Sequence, residues 1–294
     1  MKVYHANCFC HPQEFYNKYI RDLYAYYGDI GLTPVLNIGE ADIVAICNYI
    51  GQQTQINYND LPKNKIIQYQ YEPPATCKTW GKWNDKKIMD NEIKKFYDIE
   101  RYRTIIQPFY DVKSQAFREC KINNAPRINQ MCAIQSLWNT FPNHLIRNQF
   151  LEFMHNEDFK YHLFGGLEFT MISKTIDMFK QYVGSVDNKY TILSRYKYAL
   201  AIENTNENNW FSEKFWDNVM SECLTFYYGC PNLEKFFPAG SFIRLPLPDF
   251  NSALKIIEAT IDTGQYEKRL PAIREAKRLC LEKYDLLHTI KELV

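Results

Sequence analysis

Nowhere in the 294 residues do 18 or more apolar residues run together, so no segment has the length of a membrane-spanning helix. The first residues, MKVYHANCFCHP, lack the basic stretch and apolar run of a secretory leader. Net charge is nearly absent: 35 Lys and Arg stand against 34 Asp and Glu, leaving no overall field to draw the protein to nucleic acid or an anionic bilayer. Any anion site must therefore be local. A C-x-x-C pair is missing as well. Cys8, Cys10 and His11 lie close together without a fourth ligand, so no structural metal is expected. The nine cysteines are odd in number and scattered, which reads as reduced thiols in a soluble, cytoplasmic setting. There is no internal repeat and no low-complexity tract. A hydrophobic content of 46% suffices at this length for two packed cores.

The chain alternates short apolar runs with helical patterns. KVYH is followed by an amphipathic stretch from about Pro12 to Tyr27, then by ADIVAIC at Ala41 to Cys47. KIIQYQYE ends at Glu72 against Pro73 and Pro74, which cannot continue a ladder, so Glu72 is expected at a strand end. A polar stretch, Lys121 to Gln130, marks the domain boundary. Beyond it come a buried strand at MCAIQ, a helix near Leu145 to Met154, and a charged, periodic segment from Pro271 to Val294 that reads as a terminal helix. The expected fold is α/β with two Rossmann-like domains. Their bounds are residues 1–125 and 126–270, with a C-terminal helix over 271–294.

Residues 196 to 228 describe a nucleotide-binding turn. An apolar strand, YALAI, runs into an Asn-rich loop and then a helix capped by Ser212, whose free first-turn N–H groups suit phosphate oxygens. Lys214 stands at the unfavourable end of that helix's dipole, a mismatch a bound diphosphate would repair. In isolation it reads as a solvated surface lysine, and only the surrounding pattern gives it a phosphate role. Glu203 and Asn204, where the strand turns polar, either close a turn or hold a sugar or ribose hydroxyl. Glu213 is the stronger ribose candidate, because a carboxylate can accept from two vicinal hydroxyls. Trp216, within the helix, is expected in the core. None of the six histidines falls in a motif.

From Ser194 the sequence reads SRYKYALAIENTNENNWFSEKFWDNVMSECLTFYYGCPNLEKFFPAGSFIRL. This resembles the α1,3/1,4-fucosyltransferase family (glycosyltransferase family ten) through Tyr196-Lys197-Tyr198, Glu203-Asn204, Ser212-Glu213-Lys214, Tyr227-Tyr228-Gly229, Pro231 and Gly240-Ser241-Phe242-Ile243. Upstream, SLWNTFPNHLIRNQF is similar to a family segment in which an Arg opens a helix, which assigns that role to Arg147. YQYEPP is similar to the segment that carries the family's proposed base, with Pro73 where Ser is usual.

The resemblance implies a GT-B fold, two Rossmann-like domains facing across a cleft. It implies an inverting glycosyltransferase moving fucose from GDP-fucose to a glycan hydroxyl, in a soluble cytoplasmic enzyme of bacterial or viral type. The implied donor site is Arg147, Glu203, Asn204, Trp210, Glu213 and Lys214, with Glu72 as the general base. Trp210 replaces the family's usual Tyr and serves either as a cover for base or sugar or as core. Arg147 and Lys214 would stabilise the departing diphosphate in place of a divalent cation, in keeping with the absence of any D-x-D triplet, so no metal or other cofactor is expected. The expected partners are a nucleotide sugar and a glycan, and no nucleic acid. Two alternatives stand beside this reading: a transferase for another nucleotide sugar, and a non-catalytic protein that kept the nucleotide- or glycan-binding fold. Acceptor, linkage and oligomeric state have no signature in the sequence.

Overall fold

The computed structural model describes residues 1–7, 10–47, 66–69, 126–136, 140–165 and 180–294. The chain divides into two compact units, Met1–Ser114 with Glu282–Val294, and Gln115–Leu281.

In the first unit, β1 (Lys2–Asn7), β2 (Thr33–Val35), β3 (Ile43–Cys47) and β4 (Ile66–Tyr69) form a parallel sheet in the order β2-β1-β3-β4. The central strands β1 and β3 are buried at every position but Lys2, as in a parallel sheet covered on both faces. Successive side chains take opposite sides. Val3, Ala45, Cys47 and Ile67 pack on one face, while Tyr4, Ala6, Val44, Ile46 and Ile66 pack on the other. Pro12–Tyr27 is helical, as its pattern predicts, with α1 (Pro12–Phe15) and α2 (Arg21–Tyr27) joined by a π-helical turn at Tyr16–Ile20. His11 accepts from the Gln13 N–H and Pro12 takes the first helical position, where a missing N–H costs nothing.

The second unit is built on a six-stranded parallel sheet of β5 (Ile128–Ile134), β6 (Tyr161–Phe164), β7 (Tyr182–Gly184), β8 (Tyr196–Ile202), β9 (Leu224–Tyr228) and β10 (Phe242–Arg244). Its order is β10-β9-β8-β5-β6-β7. The chain therefore winds outward from β5 through β6 and β7, then returns to the other side of β5 to lay down β8. The strand order thus reverses between β5 and β8, the arrangement that opens a ligand crevice beyond the carboxyl ends of the strands. Helices α3 (Pro142–Asn156), α4 (Lys189–Leu193), α5 (Glu213–Met220), α6 (Phe250–Asp262) and α7 (Gln265–Glu282) belong to this unit. Met131, Leu163, Tyr198, Leu200, Ile202 and Phe226 meet the apolar stripes of α3, α6 and α7 in one core. Trp216 is fully buried, as expected.

The terminal segment departs from the single helix expected over 271–294. Helix α7 begins at Gln265 and carries Pro271 inside it, and a separate α8 spans Leu286–Leu293. Asp285 supplies the break: its carboxylate accepts from the N–H groups of Leu287 and His288 and caps α8. Leu286, Leu287 and Ile290 then join the core of the first unit. Among the described residues no helix is long and apolar enough to cross a membrane.

Candidate functional site

At the β5–β8 reversal, each strand runs into a helix whose first turn lies at the carboxyl edge of the sheet. Strand β8 ends at Ile202, and the next residue, Glu203, turns its carboxylate onto the start of α5. Oε1 accepts from the Ser212 N–H at 2.7 Å, and Oε2 accepts a short hydrogen bond from the Ser212 hydroxyl. Ser212 in turn accepts from the Lys214 N–H at 3.3 Å as the N-cap of α5, so the cap expected from sequence is present, but the N–H groups of Ser212, Lys214, Phe215 and Trp216 are engaged within the protein rather than free for phosphate as the pattern suggested. Glu203 is only 1% exposed, and burial pushes its carboxyl pKa up against the pull of Lys214. The glycine at 229 makes room for it. A Cβ there would stand 2.3 Å from Glu203 Cγ.

Lys214 Nζ lies 2.9 Å from Glu213 Oε1 and donates to Ser212 Oγ at 3.3 Å. Burial opposes ionisation of Glu213, but Lys214 and then Lys189 outweigh it and draw its carboxyl down to about 2, so Glu213 is an anion at neutral pH. Its side chain stays 36% exposed, open to a hydroxyl donor.

From the other wall, α3 follows β5. Pro142 is its first residue, which places Arg147 in the second turn rather than at the opening of the helix. The sequence pattern put it one turn early because the start signal is Phe141-Pro142, not the arginine itself. Arg147 is 2% exposed and donates through Nη2 to the Ser136 carbonyl at 2.7 Å. Its Nε has no partner, and among the described residues no carboxylate lies within ion-pair distance. Burial lowers its pKa to about 10, with Glu213 acting in the opposite sense. A guanidinium so placed still carries its charge, held out of water with no carboxylate in ion-pair contact among the described residues.

Asn204 is partly buried, and its Oδ1 meets His144 Nε2 at 2.8 Å. His144 was not singled out by the sequence; its only signal is the position three residues into a proline-opened helix. Burial, and then the Arg147 charge, lower it to about 4. The structure thus brings Arg147, His144, Asn204, Glu213 and Lys214 together beyond the carboxyl ends of β5 and β8: His144 bonds Asn204, Lys214 bonds Glu213, and the Arg147 charge acts on both His144 and Glu213. Glu203 stands behind them, its carboxylate engaged by Ser212. Trp210 is 4% exposed, with its backbone N–H on the Glu207 carbonyl at 3.3 Å, and so lies within the packed loop. Asn209 adopts a left-handed φ of 62°, held by Asn232, which accepts from its N–H and donates to its Oδ1, both at 2.7 Å. Glu72 lies outside the described residues.

Residues 127–263 match the family model described as glycosyltransferase family 10 (fucosyltransferase) C-term. A fucosyltransferase-like protein of Arabidopsis thaliana is 43% identical over 63 residues, 21% of this chain and 12% of that protein. An α-(1,3)-fucosyltransferase of Helicobacter pylori is 33% identical over 75 residues, 25% of this chain and 16% of that protein. The chain therefore matches less than a fifth of the length of these two curated relatives. Among solved structures, an α-glucosyltransferase in complex with UDP and a 13-mer DNA aligns over 100% of this chain and 98% of its own, with 13% identity and a TM-score of 0.55. That likeness establishes the fold, and the α/β architecture is of the GT-B type, as the sequence implied. Over residues 127–263, which contain Arg147, His144, Asn204, Glu213 and Lys214, this chain resembles the C-terminal domain of the family 10 fucosyltransferases.

Proposed function

We propose that this chain is an inverting, metal-independent glycosyltransferase that moves fucose from GDP-fucose to a glycan hydroxyl, with a role in glycan biosynthesis. The observation that carries the donor site is Arg147, a buried guanidinium with an unpartnered Nε and no anion beside it among the described residues. Such a group lowers stability until an anion arrives. Lys214, in the first turn of α5, adds a second cation, its Nζ shared between Glu213 and Ser212. A diphosphate satisfies both cations, and Arg147 presents it with a planar, permanently charged fork. Glu213, ionised and partly open, suits the ribose diol. The family match and the relatives' names favour fucose over other sugars, and GDP is the nucleotide that the sequence resemblance implies.

In this mechanism, the leaving diphosphate gathers charge as the glycosidic bond breaks, and Arg147 and Lys214 stabilise that charge where a metal would otherwise act. A carboxylate takes the acceptor proton, and Glu72 is the residue proposed for it. Calorimetric titration with GDP and UDP, repeated in EDTA, tests the donor site. GDP should bind in preference to UDP with an affinity that EDTA leaves unchanged, and Lys214→Ala should lower catalytic efficiency about thirty- to a thousandfold, the equivalent of roughly 2–4 kcal/mol. A requirement for magnesium or manganese in the binding step would overturn the metal-free reading. An acceptor panel that yields no transfer despite tight GDP binding would point to the non-catalytic alternative.

A further inference from the structure

We propose that His144 is a positioning residue for the sugar-nucleotide donor: its Nε2–H fixes the Asn204 carboxamide so that both Nδ2 hydrogens face the ligand crevice. The inference rests on reading that crevice as the donor site.

The geometry selects one arrangement of protons. Phe141, the N-cap of α3, has no polar side chain, and His144 at the third helical position reaches back to the N–H groups that precede the helix. Its Nδ1 lies 3.2 Å from the Thr140 N–H and 3.4 Å from the Phe141 N–H. Backbone N–H groups only donate, so Nδ1 is an acceptor and carries no hydrogen. In a neutral imidazole the hydrogen is then on Nε2, which donates to Asn204 Oδ1 at 2.8 Å. With the carboxamide oxygen held there, its NH2 group turns the other way and offers two donors. Burial and the neighbouring Arg147 charge keep the ring neutral at neutral pH, against the pull of the Asn204 hydrogen bond.

Asn143 reinforces the same connection. Its backbone N–H reaches the Asn204 carbonyl at 3.4 Å and its Nδ2 donates to Asn206 Oδ1 at 2.9 Å. The start of α3 and the loop after β8, the two walls of the strand-order reversal, are thereby latched through adjacent residues of one helical turn. A purely structural capping histidine would need only Nδ1. The Nε2 bond to Asn204 is what a donor-positioning role adds.

Two variants separate these roles. His144→Gln places an N–H near the former Nε2 and keeps the bond to Asn204. His144→Asn places an oxygen near the former Nδ1 and keeps only the cap. Titration with GDP and with GDP-fucose should show His144→Asn weakened about tenfold for at least one of them and His144→Gln within about threefold of wild type, the scale of one hydrogen bond. Thermal melting should rank them the other way, with His144→Asn the more stable. In 15N-labelled wild-type protein the imidazole should show a protonated Nε2 and a bare Nδ1, a readout that needs no nucleotide. A protonated Nδ1, or His144→Asn binding both ligands as wild type does, overturns the inference and leaves the donor site intact. Wild-type protein that binds neither GDP nor UDP overturns the donor-site reading and this inference with it.

Discussion

Glu203 and Ser212 form a closed pair in which both carboxylate oxygens accept from one residue, Oε1 from its backbone N–H and Oε2 from its hydroxyl. The pair joins the end of β8 to the cap of α5, so the start of that helix is set by a carboxylate that itself lies out of reach of solvent. Glu203→Ala leaves a buried N–H unsatisfied and should cost about 2–4 kcal/mol in urea unfolding. Gly229→Ala should act through the same pair. Its Cβ collides with the Glu203 side chain, and overpacking of this kind costs about 1–3 kcal/mol. A Gly229→Ala variant as stable as wild type would show that the carboxylate can move without loss.

Arg147→Met should separate stability from function. Replacing a buried, unpaired guanidinium with an apolar chain of similar length is expected to leave the melting temperature of the ligand-free protein unchanged or raise it, by up to about 1–2 kcal/mol in stability. GDP affinity should fall by tenfold or more, on the scale of a charge-assisted contact. A variant that loses stability as well as affinity would mean that Arg147 has an anionic partner within the protein itself.

Stability should fall on the acid side through buried histidines. His144, lowered to about 4, and His5, lowered by burial to about 3, are both depressed from 6.5. Between 6.5 and those values the unfolded chain binds protons the native state refuses, so their contribution is complete above pH 6.5 and is lost as pH falls through about 4 and 3. Glu203 has the opposite sign: its raised pKa contributes stability below 4.5 that is lost as pH rises through the folded value. Urea midpoints from pH 7 to 4.5 should decline in wild type and decline less in His144→Gln. Parallel slopes would remove His144 from the explanation.

Glu72→Gln tests the proton acceptor. The amide keeps the shape of the carboxylate but cannot take a proton, so turnover should drop by about a hundredfold or more with GDP affinity near wild type. Unchanged turnover would place the base elsewhere. Joint loss of turnover and GDP binding would make Glu72 a structural or donor-contacting residue.

The sequence by itself determined what depends on local pattern. The apolar runs at Val3, Ile43, Met131 and Tyr198 became buried parallel strands, because a strand covered on both faces must be apolar at almost every position. Ser212 became the cap of α5 because its hydroxyl lies within reach of the first-turn N–H groups wherever the chain turns into that helix. Lys214 and Glu213 sit side by side in that same turn. Only tertiary structure decided the rest. The strand order that places β8 beside β5 brings the end of one next to the helix that follows the other, across some sixty residues of sequence separating His144 from Asn204. No local periodicity encodes that pairing. The split of the terminal helix at Asp285, the withdrawal of Glu203 behind Ser212 and the burial of Arg147 without an anion have the same origin: each follows from which surfaces meet when the sheets are covered, and a sequence pattern specifies an apolar face but not the element that will cover it.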